Sequence, residues 1–212
     1  MTYPTSFTDS PESVARIALD ADGTEAVAKL HAAGFEVVAG VRVTDVPFIT
    51  EIAQQQAVRE QCPNDLAKRF ADRAMMERWL GKNGGRGMFI LREAETKQLR
   101  GYGWVGRLHC EQLPEYENTF AVRLDERVGG RGLGVPFVKT IFSGSKALYG
   151  TRGIWGETWG SNVGAVKTYL RVGGELVSTA DDWRPTLGMG HGDVYGKRRD
   201  IRMLLKFPGT LS

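Results

Sequence analysis

Apolar and polar positions along this chain recur with two periods, and the switches between them mark its elements. Residues 1–13 are polar, carry Pro4 and Pro11, and read as a loose tail. Val14 to Leu19 reads as a short strand, Thr24 to Ala33 as a helix stopped by Gly34, and Phe35 to Thr44 as a strand. Asp45 followed by Pro47 marks a helix start, with an acidic cap and proline in the first turn. Phe48, Ile49, Ile52 and Ala53 carry that helix with helical spacing to about Gln61, where Cys62-Pro63-Asn64 breaks it. A second helix is predicted from Asp65 to Leu80, with Leu66, Phe70, Met75 and Trp79 as core candidates. Gly81, Gly84 and Gly85 end it. Strands follow at Met88 to Glu93, Leu99 to Leu108 and Thr119 to Leu124, and the glycines at 101, 103 and 106 predict a bend or bulge in the middle one.

The second half alternates. A helix is predicted from Gly134 to Leu148, with Phe137, Val138, Ile141 and Phe142 on its apolar face. Ile154 to Trp159 reads as a strand, Asn162 opens a helix that Gly173-Gly174 stops, and Glu175 to Thr179 is strand-like again. Asp181 to Asp200, with Trp183, His191, Asp193 and Tyr195, reads as a long connection before a last strand. It exceeds the usual hairpin loop, and such loops often carry function. The order predicts an α/β (α+β) domain over residues 37–212, preceded by a tail and short extension over residues 1–36.

Composition narrows the function class. A hydrophobic share of 42% and a charged share of 25% in 212 residues suit a globular domain with a real core. The net charge of +3 is too weak to argue for a nucleic-acid partner, although the stretch from Arg184 to Lys206 carries a local excess of base. Its ordinary reading is a solvated hairpin. The two cysteines, Cys62 and Cys110, and the three scattered histidines, His31, His109 and His191, supply no metal-ligand spacing, so no metal is expected. The N-terminal residues lack a signal-peptide pattern, and no run of about 18 apolar residues occurs; a cytoplasmic protein with no membrane partner is expected.

The most informative segment lies between the strand ending near Leu124 and the helix starting near Gly134, where four glycines, Gly129, Gly130, Gly132 and Gly134, fall in six positions. Such a loop lets backbone N–H groups approach an anion, and the helix N-terminus adds favourable charge. Arg127 and Arg131 stand beside it. A phosphate loop of the Gly-Lys-Thr type fails because Val138 precedes Lys139-Thr140, and the dinucleotide fingerprint fails because Val135 stands where it needs glycine. Further on, Asn162 and Tyr169 are seven residues apart, so they share one helix face about 10 Å apart along the axis.

With these two segments in order, the chain from about residue 37 onward resembles the GNAT N-acetyltransferases. The family motif Q/R-x-x-G-x-G/A falls on Gly129-Gly130-Arg131-Gly132-Leu133-Gly134, with glycine in place of Q/R; a shifted register starting at Arg127 restores the arginine but fits the helix less well. The resemblance implies a mixed, mostly antiparallel sheet of six to seven strands flanked by about four helices, with splayed strands binding acetyl-coenzyme A as co-substrate. It implies backbone pairing of the pantetheine arm by Val122, Arg123 and Leu124, pyrophosphate binding by residues 129–134, cofactor binding by Asn162, and protonation of the departing thiolate by Tyr169. Glu157 and then Glu117 are the candidates for the base that frees the attacking amine.

The expected reaction is acetyl transfer to a primary amine of a small molecule or peptide. Two alternatives stand beside it. One is a sensor of acyl-CoA without catalysis, which Gly129 at the Q/R position keeps open. The other is an aminoacyl-tRNA acetylating enzyme, supported only by the basic C-terminal segment. The resemblance is also compatible with a homodimer, since many relatives pair.

Overall fold

The computed structural model describes the backbone of residues 2–187 and 195–211. His191 and Asp193 lie outside the described residues, as do the side chains of Trp183 and Tyr195.

The N-terminal residues are built into the fold. Tyr3 is buried, and its hydroxyl donates to Asn118 Oδ1 at 3.0 Å and pairs with Thr151 Oγ1 at 2.7 Å. The expectation of a loose tail over residues 1–13 is thereby corrected: an aromatic side chain with two polar partners anchors it. Strand β1 (Glu12–Ser13) pairs with β2 (Phe35–Ala39), and Val14–Arg16 forms a 3-10 turn where a strand was expected. Between them, α1 (Ala21–Ala32) is capped by Asp20, whose carboxylate accepts from Gly23 N at 2.8 Å.

The two helices expected between residues 45 and 80 are four: α2 (Val46–Gln54), α3 (Gln56–Gln61), α4 (Asn64–Lys68) and α5 (Arg73–Leu80). Each extra break has a polar cause. Gln55 is extended, and its side-chain amide bridges to Asp125 Oδ1 and to the backbone N–H of Glu126. Asp72 caps a fresh helix by accepting from Met75 N at 2.7 Å. The rest of the chain supplies β3 (Gly87–Glu93), β4 (Leu99–Arg107), β5 (Asn118–Leu124), α6 (Gly134–Tyr149), β6 (Ile154–Trp159), α7 (Val163–Arg171), β7 (Glu175–Leu187) and β8 (Tyr195–Phe207).

One sheet of eight strands runs in the order β1-β2-β3-β4-β5-β6-β8-β7. Every pairing is antiparallel except that of β5 with β6. The two sheet faces bury separate cores. On one, α1, α6 and α7 pack Leu30, Phe137, Ile141 and Tyr169 against Phe89, Phe120 and Phe207. The glycine at 103 serves this layer, since a Cβ there would lie 2.4 Å from Ile141 Cδ1. On the other face, α2 and α5 pack Ile49, Ile52 and Trp79 against Ile90, Tyr102 and Trp104.

The long connection expected from Asp181 to Asp200 is mostly a hairpin. β7 and β8 pair continuously in register from Glu175↔Lys206 to Leu187↔Tyr195, with one bulge between Leu176 and Ser178. Its sequence is rich in polar residues, so it reads like a loop. Much of the expected basic excess is answered across it: Arg199 faces Asp181, Arg202 faces Asp182 and Lys206 faces Glu175, each at 3.3–3.4 Å. No described helix is long and apolar enough to cross a membrane.

Candidate active site

The one parallel pairing is where the sheet opens. β5 and β6 are in register only at Asn118↔Ile154 and Thr119↔Trp155, whereas β5 stays paired with β4 to Leu124 and β6 with β8 to Trp159. Beyond Thr119 the two strands therefore diverge. Which backbone groups line the wedge follows from alternation. Asn118 N donates to Gly153 O toward β6, while Glu117 O and Asp125 N bond toward β4. Even-numbered residues thus turn their N–H and C=O groups to β6, and Val122 and Leu124 present theirs to the open gap. The Val122 carbonyl already accepts from Arg123 Nη1 at 2.7 Å. Arg123 itself, grouped with these two from sequence, differs: its backbone faces β4 and its side chain lies on the α2–α5 face.

At the far end of β5 the chain turns through the glycine loop into α6. Gly130 and Gly132 have φ of +73° and +75°, a region that side-chain-bearing residues rarely adopt. Leu133 occupies the N-cap and no side chain caps α6. Among the described residues, the N–H groups of Gly130, Gly132, Leu133 and Gly134 find no acceptor. This is a row of unpaired donors at the positive end of a sixteen-residue helix. The neighbouring arginines are engaged elsewhere. Arg127 bonds Asp125 and Glu51, and Arg131 lies 4.9 Å over the Phe35 ring with a 3.4 Å bond to Ala33 O. Burial alone would raise the Asp125 carboxyl, but hydrogen bonds from the Arg127 guanidinium and backbone and from Gln55 hold it at about 2.

Asn162 caps α7, accepting from Ala165 N at 3.2 Å. Tyr169, two turns on, is 6% exposed and packs its ring 5.0 Å from Phe120 and 5.9 Å from Phe207. Burial pushes its hydroxyl up to about 12, against the lowering influence of the Arg123 charge. Among the described residues no hydrogen bond engages that hydroxyl.

Two cavities meet at the wedge. One, of about 270 Å³, lies on the α6–α7 face and is lined by Val122, Leu124, Gly134, Thr168 and Tyr169. The other, of about 240 Å³, lies on the α2–α5 face and is lined by Asp65, Arg69, Ala121, Glu157, Trp159 and Arg202. Gln61, Cys62, Arg123 and Asn162 line both, so the gap joins them. A reactant reaching in from each face would meet there.

The structure brings Glu157, Asn162, Tyr169, Val122, Leu124 and Gly134 to this joint. It places Glu117 elsewhere. That residue is exposed, precedes the paired end of β5, and lies about four residues, roughly 13 Å, from Ala121 along the strand. Glu157 is half exposed at the cavity wall, 3.8 Å from Arg202. Three participants were not singled out from sequence. Asp65, fully buried, accepts from Arg69 Nη1 at 2.8 Å, from Arg123 Nε at 2.8 Å and from Tyr102 Oη at 3.2 Å. Arg69 and Cys62 join it. The carboxylate after the Cys62-Pro63-Asn64 break was a visible signal, but its partner 58 residues on was not. Among the described residues no group of three or more His, Cys, Asp or Glu side chains is placed to hold a metal.

The sequence matches no family model and no curated protein. The fold does have solved counterparts. A spermidine N-acetyltransferase from Vibrio cholerae, in complex with CoA and spermine, superposes with a TM-score of 0.63 at 13% identity, covering 84% of this chain and 98% of that one. A ribosomal-protein-S5-alanine acetyltransferase from Vibrio fischeri gives 0.59 at 12% identity over 82% and 92%. A GNAT superfamily phosphinothricin acetyltransferase from Sinorhizobium meliloti, in complex with AcCoA, gives 0.55 at 17% identity over 82% and 87%. With its sheet splayed at a single parallel pair and its glycine loop opening the following helix, this chain has the GNAT acetyltransferase fold.

Proposed function

We propose that the wedge binds acetyl-CoA and that the chain transfers its acetyl group to a primary amine of a small molecule or peptide by direct attack. The observation that carries this reading is the joint itself. Two cavities on opposite faces adjoin where β5 and β6 part, with unpaired helix N-terminal donors at one end and the Tyr169 hydroxyl in the wall. The donors fit a pyrophosphate, which needs several N–H groups and positive potential. The outward groups of Val122 and Leu124 fit the amides of an extended pantetheine arm, as an added strand would. Acetyl-CoA supplies an acyl group already activated as a thioester.

The protein's own work is positional and electrostatic. Glu157 lines the acceptor cavity and receives the proton of the incoming amine, whose free pKa of about 10 keeps it charged at neutral pH. Tyr169, at about 12, keeps its proton throughout that range. Full transfer to a thiolate of pKa about 8.5 runs uphill by about 3–4 pKa units, so its part is to donate a hydrogen bond to the departing sulfur. Two structural neighbours are named for the acceptors spermidine and phosphinothricin and a third for a ribosomal protein, which is consistent with an amine acceptor on a small molecule or a peptide.

The test is acetyl-CoA-dependent thiol release across a panel of amino acids, polyamines, aminoglycosides and peptides, with acetylated product identified by mass. Transfer to one class supports the proposal; no transfer to any, with no acetyl-CoA binding by titration, overturns it.

A further inference from the structure

On the transferase reading, one cavity receives the acceptor, and its charges describe what fits. Asp65 is largely committed within the protein: Oδ1 takes Arg69, and Oδ2 takes both Arg123 and Tyr102. One carboxylate therefore serves two guanidiniums, and a positive charge remains uncompensated at the inner wall. Each guanidinium has five N–H donors. Among the described residues Arg69 uses one, on Asp65, and Arg123 uses two, on Asp65 and Val122 O. Arg69 lines the cavity with donors to spare.

Arg69 is also held where it is. Its guanidinium carbon lies 6.0 Å from the Trp79 ring centre and 5.7 Å from that of Trp104, so aromatic faces and Asp65 fix it together. A planar donor fork so fixed matches a carboxylate. The remaining charges of the cavity are Glu157 and Arg202, and Arg202 is also paired with Asp182. Glu157 stands at the same cavity, beside the gap, and is the group assigned to the amine.

We infer that the acceptor is a small amino-acid-type molecule, whose carboxylate is bound by Arg69 and Arg123 and whose amine points past Glu157 to the gap. A polycation would bring like charge to the Asp65–Arg69–Arg123 wall, and a neutral amine would leave that wall's excess charge unanswered.

The test uses matched acceptors on the intact enzyme: free amino acids, the same amino acids as carboxamides, and spermidine. A hydrogen-bonded carboxylate should favour the acids about 10- to 100-fold in kcat/KM. Arg69→Met should lower kcat/KM for acids far more than for carboxamides, collapsing that ratio toward one, mainly through KM. Arg69→Lys, which keeps the charge but loses the fork, should restore part of it. Wild-type preference for carboxamides or spermidine overturns this inference and leaves the transferase reading standing. Equal losses on acids and carboxamides in Arg69→Met would show a merely structural arginine and also overturn it. No transfer to any of these acceptors overturns this inference, and the transferase reading falls with it only if the wider amine panel and acetyl-CoA titration are also negative.

Discussion

Replacing Gly132 by alanine isolates the backbone's share in cofactor binding. The residue has φ of +75°, and a Cβ built there meets nothing within 4 Å. No steric clash is created, so the cost is conformational alone. Holding a side-chain-bearing residue in the left-handed region costs about 1–2 kcal/mol. Residues 129–132 are exposed, so in the free protein this part of the loop can relax away from that conformation even though Leu133 beside it is buried in the core. Binding must then restore it, and about 1–2 kcal/mol weakens affinity about 5- to 30-fold. Gly34→Ala is the control. Its φ is +86° and its Cβ also meets nothing, and it lies at the end of α1 outside the loop, although Arg131 touches its neighbours Ala33 and Phe35. The assay is calorimetric titration of CoA into wild type and both variants, with thermal unfolding alongside. Gly132→Ala should lose affinity and keep most of its stability, whereas Gly34→Ala should lose stability and keep its affinity. Wild-type affinity in Gly132→Ala, or an equal loss in the control, would refute the assignment of the pyrophosphate to this loop.

Tyr169→Phe removes a hydroxyl without a partner among the described residues from a packed ring, so stability should hardly change while kcat falls about 10²–10³-fold with CoA affinity intact. Unchanged kcat would remove Tyr169 from the chemistry. Asp65→Asn leaves two guanidiniums around a neutral amide and should cost about 3–5 kcal/mol in urea unfolding; a loss under 1 kcal/mol would show the triad to be slack. Asp125 is held at about 2 in the folded state, against about 3.9 unfolded. Its contribution is therefore present above about pH 4 and lost as pH falls toward 2, and Asp125→Asn should flatten that part of the stability profile.

How much of this was legible in the sequence differs by kind of interaction. The glycine loop and the Asn162–Tyr169 pair declare themselves because each is local: a run of glycines needs no partner to be noticed, and a seven-residue interval fixes a helix face. The breaks at Gln55 and near Arg69 are not local. Gln55 departs from helix to reach Asp125, seventy residues away, and no propensity shows that. The Asp65 triad is hidden for the same reason, since helix α4 and strand β5 meet only in three dimensions. Tyr3 was misread because a polar, proline-bearing stretch looks alike whether loose or anchored by one aromatic. The β7–β8 hairpin was misread because its charged residues pair across the strands. Glu117 was drawn in by its nearness to β5 in sequence, but strand direction puts it at the closed end of the wedge.

Every role proposed above depends on acetyl-CoA lying in the gap between β5 and β6. A crystal structure of the protein grown with CoA tests it most directly. The pyrophosphate should lie on the N–H groups of residues 130–134, the pantetheine arm beside Val122 and Leu124, and the sulfur near Tyr169. CoA bound on another surface, or a gap closed by continued pairing of β5 with β6, would contradict it.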